Sequence, residues 1–543
     1  MMFDLYLTRT SIEVWLLVLL SLGSLLLLTK TLYNLFFHPL SHVPGPFWSR
    51  ISGLPAWYHT CRGNRHIWLW QQFQIYGDRV RVDPHTVLFC DSQSYADIYS
   101  MNSNVKRGPF YEMFQNNSHE SMITTVIDVA EHARRRKIVK LAFTDKSIRA
   151  ASTFVISHVE RWIQLMMKDN DRTTEWSSPI DFSEPAHALT FDIMSELNFG
   201  ASSDIKEPGE NPLKLIPYYI DQYLKFHYKM ARIPFPGFLL WLKPLGFNYF
   251  LDFLAPPAVQ KFYQFINNSM TDRIALQKEQ AKDLEAYRRQ DTFYFLYEAR
   301  DPDTGGPAYN DAALRGEAGF FMIAGTDTTA TALCSIMFYL TGDPRRYQKL
   351  VDEILSTFES AEDIVYGPKL LGCKYLKACI DEGMRLGPSV PSDLPRRVLP
   401  GGLTIKGEYY PEGTVVGSVP WAMMRNQEVY GDPEVFRPER WILDESTGVT
   451  QEGIAQAKAC FHPFLSGSFS CLGQNLALAI IFVTVARLLY HLDMRRVPGS
   501  TFGGGSPEKG WGARNINQLQ LEDISGAASQ GPEVQFKRRA FVS

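Results

Sequence analysis

Residues 464–473 restrict the possible folds of this 543-residue chain more than any other segment. They place Cys471 between glycines and directly before an apolar run at residues 474–492. Glycines let the backbone turn tightly and approach a flat partner closely. The apolar run predicts a buried helix, and a helix N-terminus stabilises a thiolate. Cys471 is therefore either a small buried hydrophobe, the common role of a lone cysteine, or an axial thiolate ligand for haem iron.

The composition excludes several classes of protein. The chain is 45% hydrophobic, which is ample for a large core. Its formal net charge is −3 and it has no long basic run, which argues against a nucleic-acid partner. Its seven cysteines are odd in number and include no Cys-x-x-Cys pair, a usage typical of a reducing compartment.

The N-terminal segment carries no charge between Glu13 and Lys30. Its length fits either a cleaved signal peptide or a membrane span, which needs roughly 17–25 residues. The positive charge follows the apolar run and no small-residue cleavage site is evident. We therefore predict an uncleaved single-pass anchor at residues 1–37, with the rest of the chain cytosolic. Residues 38–50 are rich in proline and predict an extended, stiff hinge before a globular domain at residues 51–543.

The rest of the chain predicts one large, mainly α-helical domain with a small β lobe. Residues 79–82 and 86–90 alternate or are β-branched on either side of a turn, which predicts a hairpin. Beyond about residue 145 the pattern is mostly helical. Residues 232–244 are apolar, aromatic and broken by proline, so they either pack under another loop or enter the bilayer interface.

Residues 316–340 predict one long helix that contains polar side chains in an apolar context. Within it, residues 324–331 carry Asp327 and several threonines, including Thr328, which are expensive to bury unless they are used. The hydroxyls either bond back to the carbonyl four residues earlier and bend the helix, or they open it locally and leave room for dioxygen and a water.

Two groups of charged residues have both an ordinary and a specific interpretation. Glu382 and Arg385 form either a surface ion pair worth little or, together with Arg440, a buried cluster that is stable only if every charge is paired. His132 and Arg136 share one helix face, which is either solvated or positioned to bind a buried carboxylate.

Taken together, the motifs resemble those of the cytochrome P450 family, in the family's order from the anchor to about residue 492. The matches include Phe-x-x-Gly-x-x-x-Cys-x-Gly around Cys471, Ala-Gly-x-Asp-Thr-Thr, Glu-x-x-Arg and His-x-x-x-Arg. The resemblance implies the cytochrome P450 fold, mainly α with a small β lobe, and haem b with Cys471 as the axial and metal ligand. It implies that Asp327 and Thr328 deliver protons for oxygen activation. It assigns the structural triad to Glu382, Arg385 and Arg440, and haem binding to Cys471, His132, Arg136, Arg396, Ala324, Gly325, Phe464 and Gly473.

One position departs from the family pattern. The family usually has arginine or histidine two residues before the cysteine, whereas this chain has Phe469. The resemblance therefore implies that one charge-assisted bond to a haem propionate is missing. His132, Arg136 and Arg396 would have to hold the haem carboxylates with less help.

The resemblance implies a monooxygenase anchored in the endoplasmic reticulum membrane, which inserts one oxygen atom from O2 into an apolar small molecule. Electrons would come from NADPH through a separate flavin enzyme, NADPH–cytochrome P450 reductase. Phe110, Met113, Phe114 and Met122 either line the substrate pocket or belong to the plain core. The chain looks like a filamentous-fungal member, and such enzymes often modify terpenoids, polyketides or alkaloids.

Two other functions agree with the same cysteine. A haem-thiolate isomerase or dehydratase would rearrange a peroxide without a reductase, but it has no need of Asp327 and Thr328 as a proton-delivering pair. Dependence on NADPH distinguishes it from a monooxygenase. A non-enzymatic haem carrier or sensor would need no open helix over the haem, and it would give no product with any substrate.

Overall fold

The computed structural model describes residues 2–114, 122–167, 175–242, 245–246, 253–280, 289–301 and 303–539. Helices dominate these residues, as the sequence predicts. The α-helices are α1 (Met2–Leu32), α2 (Phe47–Ile51), α3 (Leu54–Cys61), α4 (Arg65–Tyr76), α5 (Ser92–Tyr99), α6 (Pro109–Glu112), α7 (Val129–Val139), α8 (Asp145–Met167), α9 (Ser183–Phe199), α10 (Ile216–Ala231), α11 (Pro236–Leu242), α12 (Pro257–Gln280), α13 (Thr292–Tyr297), α14 (Asp311–Gly342), α15 (Pro344–Thr357), α16 (Pro368–Leu371), α17 (Lys374–Leu386), α18 (Pro420–Met423), α19 (Gln427–Tyr430), α20 (Gln451–Ala459) and α21 (Gln474–His491).

Short strands form a small β lobe and three minor ribbons within the described residues. The main sheet has the order β1-β2-β8-β5-β3, with β2 and β8 parallel and the other pairs antiparallel. The minor sheets are β4-β12-β9, β6-β7 and β10-β11. The strands are β1 (Arg79–Asp83), β2 (Thr86–Phe89), β3 (Val105–Lys106), β4 (Ile180–Asp181), β5 (Arg396–Val398), β6 (Leu403–Ile405), β7 (Glu408–Tyr410), β8 (Val415–Ser418), β9 (Leu492–Arg496), β10 (Glu522–Asp523), β11 (Ala527–Ala528) and β12 (Glu533–Arg538).

The fold class and the hairpin β1–β2 agree with the sequence prediction, and the hairpin turns at Pro84 and His85. The long helix predicted at residues 316–340 is α14, which begins five residues earlier because Asn310 caps its N-terminus by accepting from the Ala313 N–H at 2.8 Å. Strand β7 is absent from the sequence prediction.

The N-terminal helix α1 continues into a π-helical turn, Tyr33–Phe37. Residues Glu13–Phe37 form a candidate membrane span with a mean hydropathy of 1.9, and its apolar window contains no buried residue, whereas Asn34 in the π-helical turn is buried. Helices α14 and α21 are also long and apolar enough to cross a membrane, but 67% and 72% of their windows are buried, because they form the core. The prediction of an N-terminal helix able to span a membrane is therefore confirmed.

The hinge differs from the extended connector that its prolines predict. Hydrogen-bonded turns occupy residues 38–43, and Leu40 and Val43 are buried against the β lobe. The Pro44 carbonyl accepts from the Arg81 N–H at 2.8 Å, and a Cβ on Gly45 would lie 2.3 Å from the Arg81 carbonyl oxygen. Burial of two apolar side chains thus folds this segment onto β1 instead of leaving it as a spacer.

The core lies between α14, α21 and the helices that surround them. Side chains on both helices, among them Leu333, Ile336 and Leu488, are fully buried in one large cluster. Helix α21 begins at Gln474, directly after the loop with Cys471. Because α21 packs in the core, the position of this loop at its N-terminus is fixed.

Candidate active site

Backbone geometry holds the loop that carries Cys471. Gly467 has a φ of +65°, and a Cβ there would lie 2.0 Å from the Tyr99 carbonyl oxygen, so only glycine fits. The Cys471 N–H donates to the Phe464 carbonyl at 2.8 Å. Gly473 lies directly beside the sulfur, since a Cβ there would be in ordinary van der Waals contact with Cys471 Sγ at 3.9 Å.

The Cys471 side chain is exposed although protein encloses the loop, so its sulfur faces open space inside the domain. Burial raises the pKa of the thiol, while the backbone N–H groups of Gly473 and Gln474 and the charge of Arg136 oppose that rise. These amides belong to the start of α21, where the helix dipole favours negative charge. The site would therefore stabilise Cys471 as a thiolate once a cation such as iron is bound to its sulfur.

Four basic side chains, here called the basic cluster, gather beside this loop: Arg107, His132, Arg136 and Arg396. Arg136 donates to the carbonyl and to Oγ of Ser470, each at 2.7 Å, and so ties α7 to the residue before the cysteine. Arg396 is buried and donates to Tyr111 Oη at 2.6 Å. Arg107 donates to the Ile123 carbonyl at 2.5 Å.

No carboxylate among the residues that the structure describes forms an ion pair or a hydrogen bond with the basic cluster, although the charge of the buried Glu317 acts on Arg107. Arg107 Nε, His132 Nε2 and Arg396 Nε are buried and lack any hydrogen-bond partner in this part of the chain. Burial and the neighbouring arginines lower the pKa of His132 to about 3 and that of Arg107 to about 10. Buried cations without a counter-charge are costly, so this arrangement fits an anionic group that comes from outside the chain.

Phe469 lies in the middle of the basic cluster. The guanidinium carbon of Arg396 lies 4.4 Å from its ring centroid and that of Arg107 lies 5.2 Å from it. The His132 ring is 5.0 Å away and tilted by 33°. The position at which the family usually has a cation is thus occupied by an aromatic ring in contact with three basic side chains.

Arg107 and Tyr111 belong to this site but were missed in the sequence. They lie in the short segment around α6, far along the chain from Cys471 and outside every recognised motif. The only local signal is Lys106-Arg107-Gly108, a basic pair at the end of β3, which predicts a solvated strand end as readily as a ligand.

The residues present fit a haem group. Cys471 offers a sulfur that faces open space, Gly473 lies directly beside it, and the basic cluster offers unpaired donors for two carboxylates. Haem b would supply the iron that activates dioxygen. The structure brings the predicted residues Cys471, His132, Arg136 and Arg396 together in one site.

Helix α14 carries the second predicted group. The structure assigns α-helix to all of residues 311–342, so the predicted local opening does not interrupt the helix. Thr328 Oγ1 donates to the Ala324 carbonyl at 2.5 Å, which is the backbone-bonded alternative. A Cβ on Gly325 would lie 2.5 Å from the Met194 thioether, so this glycine allows α14 to pack closely on α9. Contact of Ala324 with the haem face stays a prediction.

Asp327 is a carboxyl with an altered pKa. Burial, with a smaller contribution from the charge of Asp221, raises its pKa to about 7. No hydrogen bond to Asp327 is present among the described residues. A carboxyl with this pKa gains and loses a proton near neutral pH, which is the property that a proton carrier requires.

The structural triad forms as a buried cluster, not a surface pair. Arg385 donates to Glu382 through Nε and Nη2, each at 2.8 Å, and Arg440 Nε donates to Glu382 at 3.0 Å. The Arg437 N–H and Trp441 Nε1 complete the carboxylate shell at 2.9 and 3.0 Å. Burial acts to raise the pKa of Glu382, but the two arginines outweigh it and leave that pKa below its usual range. The remaining guanidinium donors reach the carbonyls of Met424, Pro433, Tyr430, Asp432 and Val435.

Three of the four predicted pocket residues lie in one aromatic cluster between α6 and α10. Phe110 and Met113 are buried there with Tyr228, and Phe114 packs against them. Met122 is half-buried outside this cluster, and its carbonyl caps a turn by accepting from Thr125. Of the four, Phe110 lines the cavity described below.

The segment after α10, residues 232–242, is here called the lid. Arg232 donates to the Asp393 carboxylate at 2.9 Å and packs over the Phe110 ring at 4.3 Å, while Arg65 donates to the other Asp393 oxygen at 2.8 Å. Phe235 is 58% exposed and Trp241 is 64% exposed. One side of this segment packs against the protein and the other presents aromatic rings, while its entry into the bilayer interface stays a prediction; residues 243 and 244 lie outside the described residues.

A cavity of about 840 Å³ borders the lid and one member of the basic cluster. It lies between the end of α1, the lid and the β lobe. Its lining includes Lys30, Phe110, Arg232, Phe235 and Arg396. Arg396 therefore belongs to the basic cluster and also borders a cavity that reaches the base of the N-terminal helix.

Comparison with known proteins agrees with this geometry. A family model described as Cytochrome P450 matches residues 43–503. The cytochrome P450 monooxygenase AKT7 of Alternaria alternata is 32% identical over 514 residues, which cover 93% of this chain and 94% of the relative. The monooxygenase apf7 of Gibberella fujikuroi is 33% identical over 527 residues, covering 94% and 95%. The monooxygenase poxM of Penicillium oxalicum is 31% identical over 523 residues, covering 96% and 94%. The chain therefore belongs to the cytochrome P450 family and is a monooxygenase, an oxidoreductase.

Proposed function

We propose that this monooxygenase inserts one oxygen atom from O2 into an apolar small molecule that reaches it from the membrane, as a step in fungal secondary metabolism. The observation that carries the proposal is the cavity that runs from the base of α1 to Arg396, with Phe110 in its lining. A terpenoid, polyketide or alkaloid partitions into the bilayer and would enter by this route.

The proposed roles divide between binding and proton transfer. Cys471 would ligate the iron, and His132, Arg136 and Arg396 would hold the haem carboxylates. Phe464 and Gly473 would shape the loop, while Ala324 and Gly325 would keep the helix close to the haem. Asp327 would carry protons at its carboxyl oxygens, since its pKa of about 7 lies near the working pH, and the Thr328 hydroxyl would receive them.

The proposed setting is the endoplasmic reticulum membrane, with residues 1–37 as a single-pass anchor, residues 38–50 as the hinge and residues 51–543 as the catalytic domain in the cytosol. The exposed rings of the lid support this orientation, because Phe235 and Trp241 suit the interface between headgroups and acyl chains. NADPH–cytochrome P450 reductase would supply the electrons.

The test uses the full-length protein in microsomes that contain the reductase, with NADPH and a panel of apolar fungal metabolites. We expect product formation that requires NADPH and O2. Asp327→Asn should lower turnover about 100-fold, the usual contribution of a positioned acid or base. Asp311→Asn is the control, because Asp311 lies in the exposed first turn of the same helix.

Product formation without NADPH would favour the alternative, a haem-thiolate isomerase or dehydratase that needs no reductase. Equal turnover of Asp327→Asn and Asp311→Asn would remove Asp327 from the proposed mechanism. A folded, haem-loaded protein that gives no product with any member of the panel and consumes no NADPH would contradict the proposed reaction.

A further inference from the structure

The basic cluster needs something to hold its members together, because its cations repel one another. Burial is the main cause of the low pKa of His132, and the charges of the nearby Arg107, Arg136 and Arg396 lower that pKa further. No carboxylate among the described residues pairs with these side chains. Phe469 is the one group in contact with three of them, and the face of an aromatic ring attracts cations.

The Phe469 ring is fixed by the loop that carries it. Phe469 is the last residue of a 3-10 turn, Gly467–Phe469. The close approach of Gly467 to the Tyr99 carbonyl holds this turn against the end of α5. Arg396 is fixed from its other side by Tyr111 Oη and by the carbonyls of Leu394 and Pro395. The guanidinium of Arg396 therefore lies against a ring that has little freedom to move.

We propose that Phe469 is a positioning residue that holds Arg107 and Arg396 toward the haem carboxylates. Arg107 then supplies the charge-assisted contact that a cation at position 469 would otherwise supply. The inference rests on the proposed haem site. Phe469 therefore does not simply remove one contact to a haem carboxylate. The cation that makes this contact is Arg107, which lies in a different segment of the chain.

A cation at position 469 and the observed pair of Phe469 with Arg107 exclude each other because of charge. An arginine at position 469 would lie within about 5 Å of both Arg107 and Arg396, as the ring does now. Like charges at that distance in a partly buried site repel by an amount comparable to a good hydrogen bond. A ring at position 469 instead attracts both guanidinium groups and leaves the Nε donor of each, which has no partner among the described residues, available to an anion.

The test measures haem release from the full-length, haem-loaded protein to an excess of apomyoglobin, together with the reduction potential of the iron. Phe469→Leu keeps apolar bulk but removes the ring face, and we expect it to speed haem release about tenfold. Arg107→Gln should have a similar effect. Phe469→Tyr keeps the ring and should stay within about twofold of the unchanged protein.

The double variant Phe469→Leu with Arg107→Gln separates positioning from packing. If the ring acts through Arg107, the double variant should release haem little faster than either single variant. Phe461→Leu is the packing control, since Phe461 contacts Trp441 in the same region but no member of the basic cluster. It should leave both haem release and the reduction potential unchanged.

Three results would overturn the inference: unchanged haem release in Phe469→Leu, unchanged release in Arg107→Gln, or effects that simply multiply in the double variant. Failure of the proposed function is recognised separately. A protein that binds haem but gives no product would contradict the proposed function, and the haem-release comparison would still decide this inference. A protein that binds no haem through Cys471 would overturn both.

Discussion

Two buried clusters of basic side chains, built in opposite ways, lie in the same domain. In the triad, Arg385 and Arg440 surround Glu382, and every donor meets a carboxylate or a carbonyl. In the basic cluster, Arg107 and Arg396 each retain a buried nitrogen with no partner among the described residues. The first cluster contains its own anion, whereas the second awaits one.

This difference separates structure from function. A buried ion cluster that is fully paired can persist without a ligand, so the triad serves the fold. A cluster that lacks its anion gains stability by binding one, and this supports the proposed role of the basic cluster in holding the cofactor. Asp327 is comparable to the basic cluster but has the opposite charge. It is a carboxyl without a basic partner among the described residues, and burial raises its pKa to about 7.

Glu382→Gln should have the largest effect, because it leaves two buried guanidinium groups without their anion. We expect a loss of about 3–5 kcal/mol in the free energy of unfolding. Far-UV circular dichroism and the Soret absorbance, recorded in the same thermal scan, should both shift to lower temperature together. The control is Glu434→Gln, which removes an exposed carboxylate that contacts only Asn515 in the described residues. A variant as stable as this control would show that the triad is not a structural element.

Arg396→Met should have a smaller effect and a different signature. Removal of a charge from a cluster without an anion relieves repulsion. We therefore expect the free energy of unfolding, followed by the helical signal, to change by no more than about 1 kcal/mol. Haem release should become about 10- to 100-fold faster, since a hydrogen bond to a charged group is worth about 1.5–3 kcal/mol. The Soret signal should therefore be lost at a lower temperature than the helical signal. Coincident transitions, as in Glu382→Gln, would erase the distinction between the clusters.

Asp327→Asn should have the smallest effect on stability in acid, and that effect should grow as pH rises. The folded protein raises the pKa of Asp327 from an ordinary value near 4 to about 7, so ionisation of this group opposes folding. The asparagine variant should gain stability as pH rises from 4 to 7, keep that gain at pH 8 and lose it below pH 4. Thermal midpoints across this range, with Asp311→Asn beside it, test the expectation. A gain that does not vary with pH would assign the effect to packing.

Local motifs explain what the sequence could predict. The loop around Cys471, the triad and the pair Asp327–Thr328 are each defined by residues a few positions apart or by a recurring pattern. Arg107 was missed because its role depends on the return of a distant segment to the cysteine loop. The hinge was predicted as extended because prolines dominate its pattern, whereas burial of Leu40 and Val43 decides its shape.

Strand β7 was missed for a conformational reason. Lys406 and Gly407 both have positive φ, +49° and +79°, and they turn the chain from β6 into β7 as a two-residue hairpin. Glycine at the second position was a signal for this turn, but lysine is an unusual residue at the first. Asp78 and Asp91 pair with the Lys406 ammonium group, which helps to hold it there.

The central claim is that Cys471 is a thiolate ligand to haem iron, and one spectrum tests it most directly. The full-length protein in microsomes is reduced with dithionite and exposed to carbon monoxide, with Cys471→Ala beside it. The account predicts a Soret difference band far to the red of the position typical of histidine-ligated haem, and loss of that band in the variant. A band at the histidine-type position, or the same spectrum in both proteins, would contradict the account and leave Cys471 without a role as a ligand.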